Sequence, residues 1–491
     1  MVSPINNTNT IKADFFYVND IHGQVPKMEK LVTASRTFDE FIKNRGSDTF
    51  KVSAGDIMLG EHKPTNKAAI NFMNTAGITL STIGNHELDK GIGPFKEFIK
   101  KSKTQFLGTN MNFPQGKDDK IKPYAIREIN GHKYGFLGIQ PSSLTARIKD
   151  PKYMEGITID SPEQTIKELQ EHIDNLRAQG IDKIVLLSHA GIDYDKKIAK
   201  ELDGLDIIIG GHSHNLILDA KKGENLVCSK SGEPVIITQA GRDGNNFGVL
   251  SVEFDSKGVL KKVQNSIFDT KDYGKNLVMS TLTDVLFGKP QIVGKIAVAP
   301  PMPKSPLTQE NPYADFLADA IRKEMNVDIA LINSANLRGT LNVGDVTDRD
   351  ISSITPFRNR MVKFYLTEKE LVDVLNLGAK SVISHDKKPG LLMVSGIRYT
   401  VNKQGELTSL QIADKQNNYK IIDINNPNPD KKYLCACDDF LANGGDRFAM
   451  LNKMDDLIEY YDYDKDTVAI NYIKKMNKPL VIATDGRVQV I

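Results

Sequence analysis

The chain has 491 residues, 40% hydrophobic and 26% charged, a balance that excludes general disorder and, at this length, favours two or more domains over a single core. A net charge of +2 gives no support to a nucleic-acid partner. Three cysteines (Cys228, Cys435, Cys437) cannot build a disulfide framework, and no apolar run reaches the roughly eighteen residues that a membrane-spanning helix needs.

Residues 1–12 form a polar opening segment, and its start, MVSPINNTNT, lacks the apolar centre of a signal peptide. From 13 to 265, short apolar, β-branched runs alternate with amphipathic stretches. The expected strands are FFYV (15–18), FKVS (50–53), TLSTI (79–83), KYGFLG (133–138), IVLL (184–187) and DIII (206–209). A helix is expected from Pro162 to Arg177 with Ser161 as its N-cap. This rhythm predicts a layered α/β domain. Residues 266–295 read as a connection containing a helix from Lys275 to Phe287. Pro300, Pro301, Pro303 and Pro306 then break both helix and strand, and NPYADFLADAI (311–321) opens a new helix with Pro312 in its first turn. A second domain is expected over 296–491, in which YLCAC places Cys435 and Cys437 at alternating strand positions.

The chemistry-bearing residues gather where the apolar runs end. FFYV is followed by Asp20 and His22, FKVS by Gly55 and Asp56, and TLSTI by Gly84, Asn85, His86 and, three residues on, Asp89. IVLLS is followed by His189, and IIIGG by His212 and His214. Five of the nine histidines fall in these five short segments. Any one alone reads as an ordinary turn or a satisfied structural histidine; five sets of metal-ligand residue types at strand ends do not. Ligands bind outside the carboxyl ends of strands in α/β sheets, so the five groups can converge at one edge.

Asp20-x-His22, Gly55-Asp56, Gly84-Asn85-His86-Glu87, the S-H-A-G segment at His189 and Gly211-His212-Ser213-His214 resemble the signature of the calcineurin-like binuclear metallophosphoesterases. With the second domain, the resemblance narrows to the 5′-nucleotidase family and covers about residues 13–490. It implies an α/β fold (α+β overall): a four-layer metallophosphatase β-sandwich flanked by helices, then a smaller α/β nucleotide-specificity domain. It also implies two divalent ions (Zn, Mn, Fe, Co or Mg). Asp20, His22 and His214 would hold the first, Asn85, His189 and His212 the second, with Asp56 bridging them. Two divalent ions less two aspartates leave two positive charges, matched to a phosphate dianion. A hydroxide held by the ions is the implied nucleophile. His86 would stabilise the phosphoryl oxygens or protonate the leaving oxygen, and Asp89 would fix its tautomer.

The second domain contributes NSANLRG (333–339), TPFRN (355–359) and FLANGGDRF (440–448). Phe357 and Phe440 stand among Pro, Asn and Gly, where a loop-borne aromatic suits base stacking better than core packing. By resemblance they sandwich the nucleobase, with Asn333, Asn359 and Asp446 as polar contacts and Arg338 toward the anionic group. Two departures stand out. Ala335-Asn336 replaces the glycines usual before that arginine, and the helix around Asn311–Asp319 lacks a second arginine, for which Arg358 and Arg360 are candidate replacements. The expected activity is hydrolysis of nucleoside 5′-monophosphates, with a small-molecule nucleotide as the partner. Its rivals are a 2′,3′-cyclic nucleotide phosphodiesterase/3′-nucleotidase, a UDP-sugar hydrolase and a phosphatase of a non-nucleotide ester. The phenylalanine pair favours the 5′-nucleotidase, because cyclic-nucleotide relatives tend to carry tyrosines there. An inactive binding protein fits least, since Asp56, Asn85 and His86 are all present. The resemblance also suggests an extracytoplasmic setting, periplasmic or cell-surface.

Overall fold

A computed structural model describes residues 10–60, 62–113, 120–144, 153, 156–452 and 459–491. Residues 1–9 of the polar opening segment lie outside them. The chain divides into two compact units, Met1–Lys289 and Pro290–Ile491. Among the described residues, no helix is long and apolar enough to cross a membrane.

In the first unit, β1 (Ile11–Val18), β2 (Asp48–Ser53) and β3 (Leu80–Thr82) are the parallel centre of a seven-stranded sheet. β4 (Lys183–Ser188) and β5 (Ile207–Gly210) are parallel neighbours in a separate six-stranded sheet. The burial of alternate residues explains the layering. Phe15 and Tyr17 of β1 share a core with Phe50 and Val52 of β2, Val185 and Leu187 of β4, and Ile207 and Ile209 of β5, so the two sheets face each other. The opposite face of β1, Phe16 and Val18, packs against α1 (Val25–Ile42) and α2 (Lys63–Ala76) through Met28, Leu31, Phe72 and Met73. The outer face of the second sheet (Ile184, Leu186, Ile208) packs against Leu169, Ile173 and Leu176 of α3 (Pro162–Ala178) and Ile198 of α4 (Ile192–Glu201). Strands covered on both faces read as continuous apolar runs, and the result is a helix–sheet–sheet–helix stack. Ser161 caps α3 by accepting from the Gln164 N–H. The candidate site groups therefore leave two facing sheets, rather than the one sheet edge expected from the strand pattern.

The segment read as a connection is largely built into the two cores. α5 (Leu277–Phe287) is capped by Asn276, whose own N–H donates to Glu29 O at 2.9 Å, and its Met279 is buried in the core beneath α1 and α2. The division into units falls just after this helix. The next strand, Ile292–Val298, pairs with Gly344–Thr347 and Leu480–Val481, and its Val293 and Ile296 are buried in the second core.

The second unit holds a five-stranded sheet in the order Leu392–Ser395, Ile329–Asn333, Lys432–Asp438, Arg360–Thr367, Glu459–Asp464. The helix Pro312–Met325 starts at Asn311, whose side chain accepts from the Tyr313 N–H, with Pro312 where no backbone donor is needed. Cys435 and Cys437 are fully buried in one strand. Burial pushes both thiols up, away from reactive thiolate behaviour.

Tyr17 ties the two sheets of the first unit together. Its hydroxyl donates to Asn265 Oδ1 at 2.8 Å on its own sheet and also bonds Thr238 on the facing sheet. Replacing Tyr17 by Phe strands two buried polar partners. The expected loss is about 1–3 kcal/mol in urea-unfolding free energy, with the fold retained.

Candidate metal centre and base-reading loops

Each site side chain leaves the end of a strand on a backbone that turns sharply. Asp20 (φ 50°), His22 (52°), Asp56 (53°), His212 (74°) and His214 (60°) all hold left-handed conformations. L-residues rarely adopt these without compensation, and such residues cluster at functional sites. The loops also cross at very short range. A Cβ on Gly84 would lie 2.0 Å from Asp56 Oδ1, so only glycine fits there.

The fold brings Asp20, His22, Asp56, His189 and His214 together. Asp20, His22 and His214 offer ligand atoms all within 4.8 Å of one another, as do Asp20, Asp56 and His189. A third group, His22, Asp56 and His86, brings His86 within the same reach. His189 Nε2 stands 3.0 Å from Asp56 Oδ2, and His214 Nε2 stands 3.4 Å from Asp20 Oδ1. Asn85 Oδ1 accepts from His212 Nδ1 at 2.9 Å, and the His212 and His189 rings meet edge to face at 5.1 Å. Asp20 also accepts from the His212 N–H at 3.0 Å, which couples the two sheets at the site. At the rim, His86 Nδ1 bonds Asp89 Oδ2 at 2.9 Å, the Gly60 N–H donates to the same oxygen at 2.8 Å, and the His86 N–H donates to Asp56 Oδ1 at 2.9 Å.

The buried carboxylates and imidazoles of the cluster shift one another strongly. Burial alone would raise the Asp20 carboxyl, but the imidazoles of His214, His189 and His22 outweigh it and hold it at about 2. Asp56, equally buried, is held well below the usual range by His189 and His86. Burial lowers His189, yet Asp56 and Asp20 overcome this and push it up to about 10. Among the described residues, His189 Nε2 is buried without a hydrogen bond of good geometry, though it stands 3.0 Å from Asp56 Oδ2. A buried imidazole nitrogen beside two carboxylates fits a divalent-ion site of mixed N/O donors.

Two acids of the site carried no assignment from the sequence. Glu87 accepts from the N–H groups of Asp56 (2.8 Å), Ile57 (2.8 Å), Met58 (3.0 Å) and Gly84 (2.7 Å), clamping the loop after β2 to the loop after β3. Its place inside the Gly-Asn-His-Glu run was the available signal. Asp243, from a Gly-Arg-Asp-Gly turn, meets His22 Nδ1 at 3.0 Å. In sequence it looks like any loop aspartate.

In the second unit, three loops converge at one edge of the five-stranded sheet. Ile329–Asn333 runs parallel to Lys432–Asp438, and Met361 pairs with Asp438 on the antiparallel neighbour, so Asn333, Phe357, Asn359 and Phe440 all emerge at that edge. Phe357, Asn359 and Phe440 are partly exposed. The Phe440 ring lies against Gly445, where a Cβ would come within 2.4 Å of it. Asn333 is buried, with its amide nitrogen on Asp446 and its oxygen accepting from the Ala335 N–H, so it fixes Asp446 in place. The Arg338 guanidinium sits 5.4 Å over the Phe357 ring and donates to Ala335 O at 2.5 Å. Arg358 is paired with Asp464 (2.9 Å) and Asp466 (2.6 Å), which removes it as a replacement anion ligand. Arg360 is exposed, 3.7 Å from Asp462.

A four-layer sandwich with acid–imidazole clusters at its strand ends is the architecture of a metal-dependent phosphoesterase. Residues 14–216 match the calcineurin-like phosphoesterases, and residues 292–453 match the 5′-nucleotidase C-terminal domain. The chain belongs to the phosphoesterase/5′-nucleotidase hydrolases, which act on phosphoric esters. It is 24% identical to a trifunctional nucleotide phosphoesterase protein of Bacillus subtilis (strain 168) over 96% of this chain, and spans 34% of that longer protein. It is 23% identical to a probable 5′-nucleotidase of Treponema pallidum (strain Nichols), covering 84% of this chain and 80% of that one. The fold resembles that of a 5′-nucleotidase precursor from Thermus thermophilus, with a TM-score of 0.75, 21% identity and coverage of 98% and 99% of the two chains.

Behind the cluster, Asp195 of α4 is fully buried and accepts from Ser188 Oγ at 2.5 Å. Burial pushes its carboxyl up to about 7, against the pull of Ser188 and His189. The folded chain thus keeps a proton that the unfolded chain releases near about pH 4. Its contribution to stability is full below that pH and is lost as the pH rises through about 7. Asp195→Asn should remove this dependence, so that between about pH 5 and pH 8 the wild type loses unfolding free energy relative to the variant. Parallel denaturation curves at the two pH values would contradict the assignment.

Proposed function

We propose that the chain hydrolyses nucleoside 5′-monophosphates to nucleoside and phosphate. The observation that carries the reading is the His86–Asp89 pair, bonded at 2.9 Å and tied through the His86 backbone to Asp56. Asp20, His22 and His214 would hold one divalent ion and Asn85, His189 and His212 a second, with Asp56 between them. When bound, the ions supply Lewis acidity toward the phosphoryl oxygens and lower the pKa of the attacking water. His86 Nδ1 donates to Asp89, which orients the ring and leaves Nε2 to face the ester. Water adds to phosphorus and the P–O5′ bond breaks. The leaving oxygen takes the proton carried at His86 Nε2, and the proton lost by the water balances the exchange.

The base is read by the second unit. Phe357 and Phe440 offer ring faces at the loop edge, Asn359 and Asp446 offer polar contacts, Asn333 acts through Asp446, and Arg338 engages the anionic part of the substrate. The match to the 5′-nucleotidase C-terminal domain supports this role.

A phosphate-release screen of the metal-loaded protein against 5′-, 3′- and cyclic nucleotides, UDP-sugars and sugar phosphates should show 5′-monophosphates as the best substrates. Preference for a cyclic nucleotide or a sugar phosphate would replace the reading. His86→Ala should keep its metal content and lose about 10²–10⁴-fold in turnover, with Asp89→Asn losing less. Metal analysis of Asp56→Ala should show depleted ions, and full double occupancy would remove Asp56 from its bridging role. Phe357→Ala with Phe440→Ala should lower the specificity constant for AMP relative to an aryl phosphate by about 1–3 kcal/mol per stacking contact. An unchanged ratio would mean that these rings do not read the base.

A further inference from the structure

The imidazoles of the cluster are not held alike. His189 Nδ1 donates to a neutral backbone carbonyl, Ala54 O, at 2.7 Å, and His212 Nδ1 to the neutral amide oxygen of Asn85 at 2.9 Å. His22 Nδ1 instead faces a carboxylate, Asp243 Oδ1, at 3.0 Å, with its Nε2 directed toward Asp56 (3.5 Å) and Asp20 (3.8 Å). Asp243 is 1% exposed and takes a left-handed backbone (φ 58°), and its N–H donates to Asp20 O at 2.6 Å. Arg242 Nε lies 3.2 Å from the other oxygen, at the half-buried outer side.

We propose that Asp243 is a positioning residue that acts through His22 and makes the Asp20–His22–His214 pole the tighter of two unequal divalent-ion sites; this rests on the metal reading above. A carboxylate acceptor fixes the Nδ1–H tautomer, leaves the Nε2 lone pair for a cation, and polarises the ring more than a neutral carbonyl does. It also places a carboxylate directly on the Nδ1 of that ring. At the pole of Asn85, His189 and His212 the two Nδ1 atoms rest on neutral oxygens, Ala54 O and Asn85 Oδ1, with Asp56 and Asp20 as the nearby ligand carboxylates. Arg242 offsets part of the Asp243 charge, but the tautomer control does not depend on net charge. The left-handed turn explains how an acid from a distant loop is aimed at the ring, and asparagine tolerates the same backbone.

The test uses the full-length chain stripped of metal, Mn²⁺ titration calorimetry, and NMR of ¹⁵N-histidine-labelled protein in the metal-free state. The wild type should bind Mn²⁺ in two unequal steps and show His22 protonated at Nδ1. Asp243→Ala should weaken the tighter step by about 10–100-fold, leave the weaker step unchanged, and release the His22 tautomer preference. Asp243→Asn, which can accept the same hydrogen bond, should keep the tautomer and lose less affinity. Equal weakening of both steps would mark a merely structural role and overturn the proposal, as would two steps unchanged in Asp243→Ala. A wild type that binds two ions and hydrolyses phosphoesters but shows no Asp243 effect would sink this inference alone. A wild type that binds no Mn²⁺ would remove the metal reading and this inference with it.

Discussion

Asp20 and Asp56 are buried with ligand atoms within 4.8 Å of each other and of His189, and a pair of desolvated carboxylates at that separation requires positive charge close by. Four histidines of the first unit answer that requirement. Imidazoles from three further strand ends supply the compensation, and the shifted acidities of Asp20, Asp56 and His189 record it. Divalent ions would meet the same demand with neutral imidazoles. The cluster is thus an electrostatic liability for the bare protein and a set of groups that could hold cations.

Meeting that demand constrains the backbone. Five candidate ligands sit in left-handed conformations, and each such residue costs about 1–3 kcal/mol unless its surroundings impose it. The surroundings here are specific. The N–H of Asp20 bonds Gly55 O at 3.0 Å and that of His22 bonds Asp56 O at 2.9 Å, so the loop after β1 is laced to the loop after β2. Glu87 then locks the loop after β2 to the loop after β3 with four backbone hydrogen bonds. Gln239 secures the loop after β5 by donating to Gly211 O at 3.0 Å. The two sheets, joined through Tyr17, give these loops a rigid base.

The second unit follows the same logic with different chemistry. Loops leave one edge of a sheet, a glycine lets Phe440 lie flat, and Asn333 orients Asp446. Arg358 illustrates how packing assigns roles: beside the buried Asp466, its guanidinium is consumed by charge neutralisation. Arg338, by contrast, lies over the Phe357 ring and donates to the carbonyls of Ala335 and Leu337.

Much of this was legible in the residues themselves. Apolar runs ending in Gly with His, Asp or Asn mark strand ends that carry chemistry, because strand periodicity and ligand type are both local properties. The strand ends that precede Asp20, His22, Asp56, Asn85, His189, His212 and His214 could be placed on that basis, and so could the Ser161 and Asn311 helix starts. The distribution of the strands between two facing sheets was not legible, since a strand buried on both faces has the same composition in either arrangement. Nor were the roles of Glu87 and Asp243, the pairing that occupies Arg358, or the packing of α5 into the first core. Those depend on which backbone N–H, which ring nitrogen or which carboxylate arrives from far along the chain, for example 31 positions for Glu87 and Asp56 and 221 for Asp243 and His22. Sequence determined the inventory of metal-ligand residue types and the turns that could present them. Only the tertiary structure decided which groups neutralise one another, because charge compensation in a buried site is set by distance in space and not along the chain.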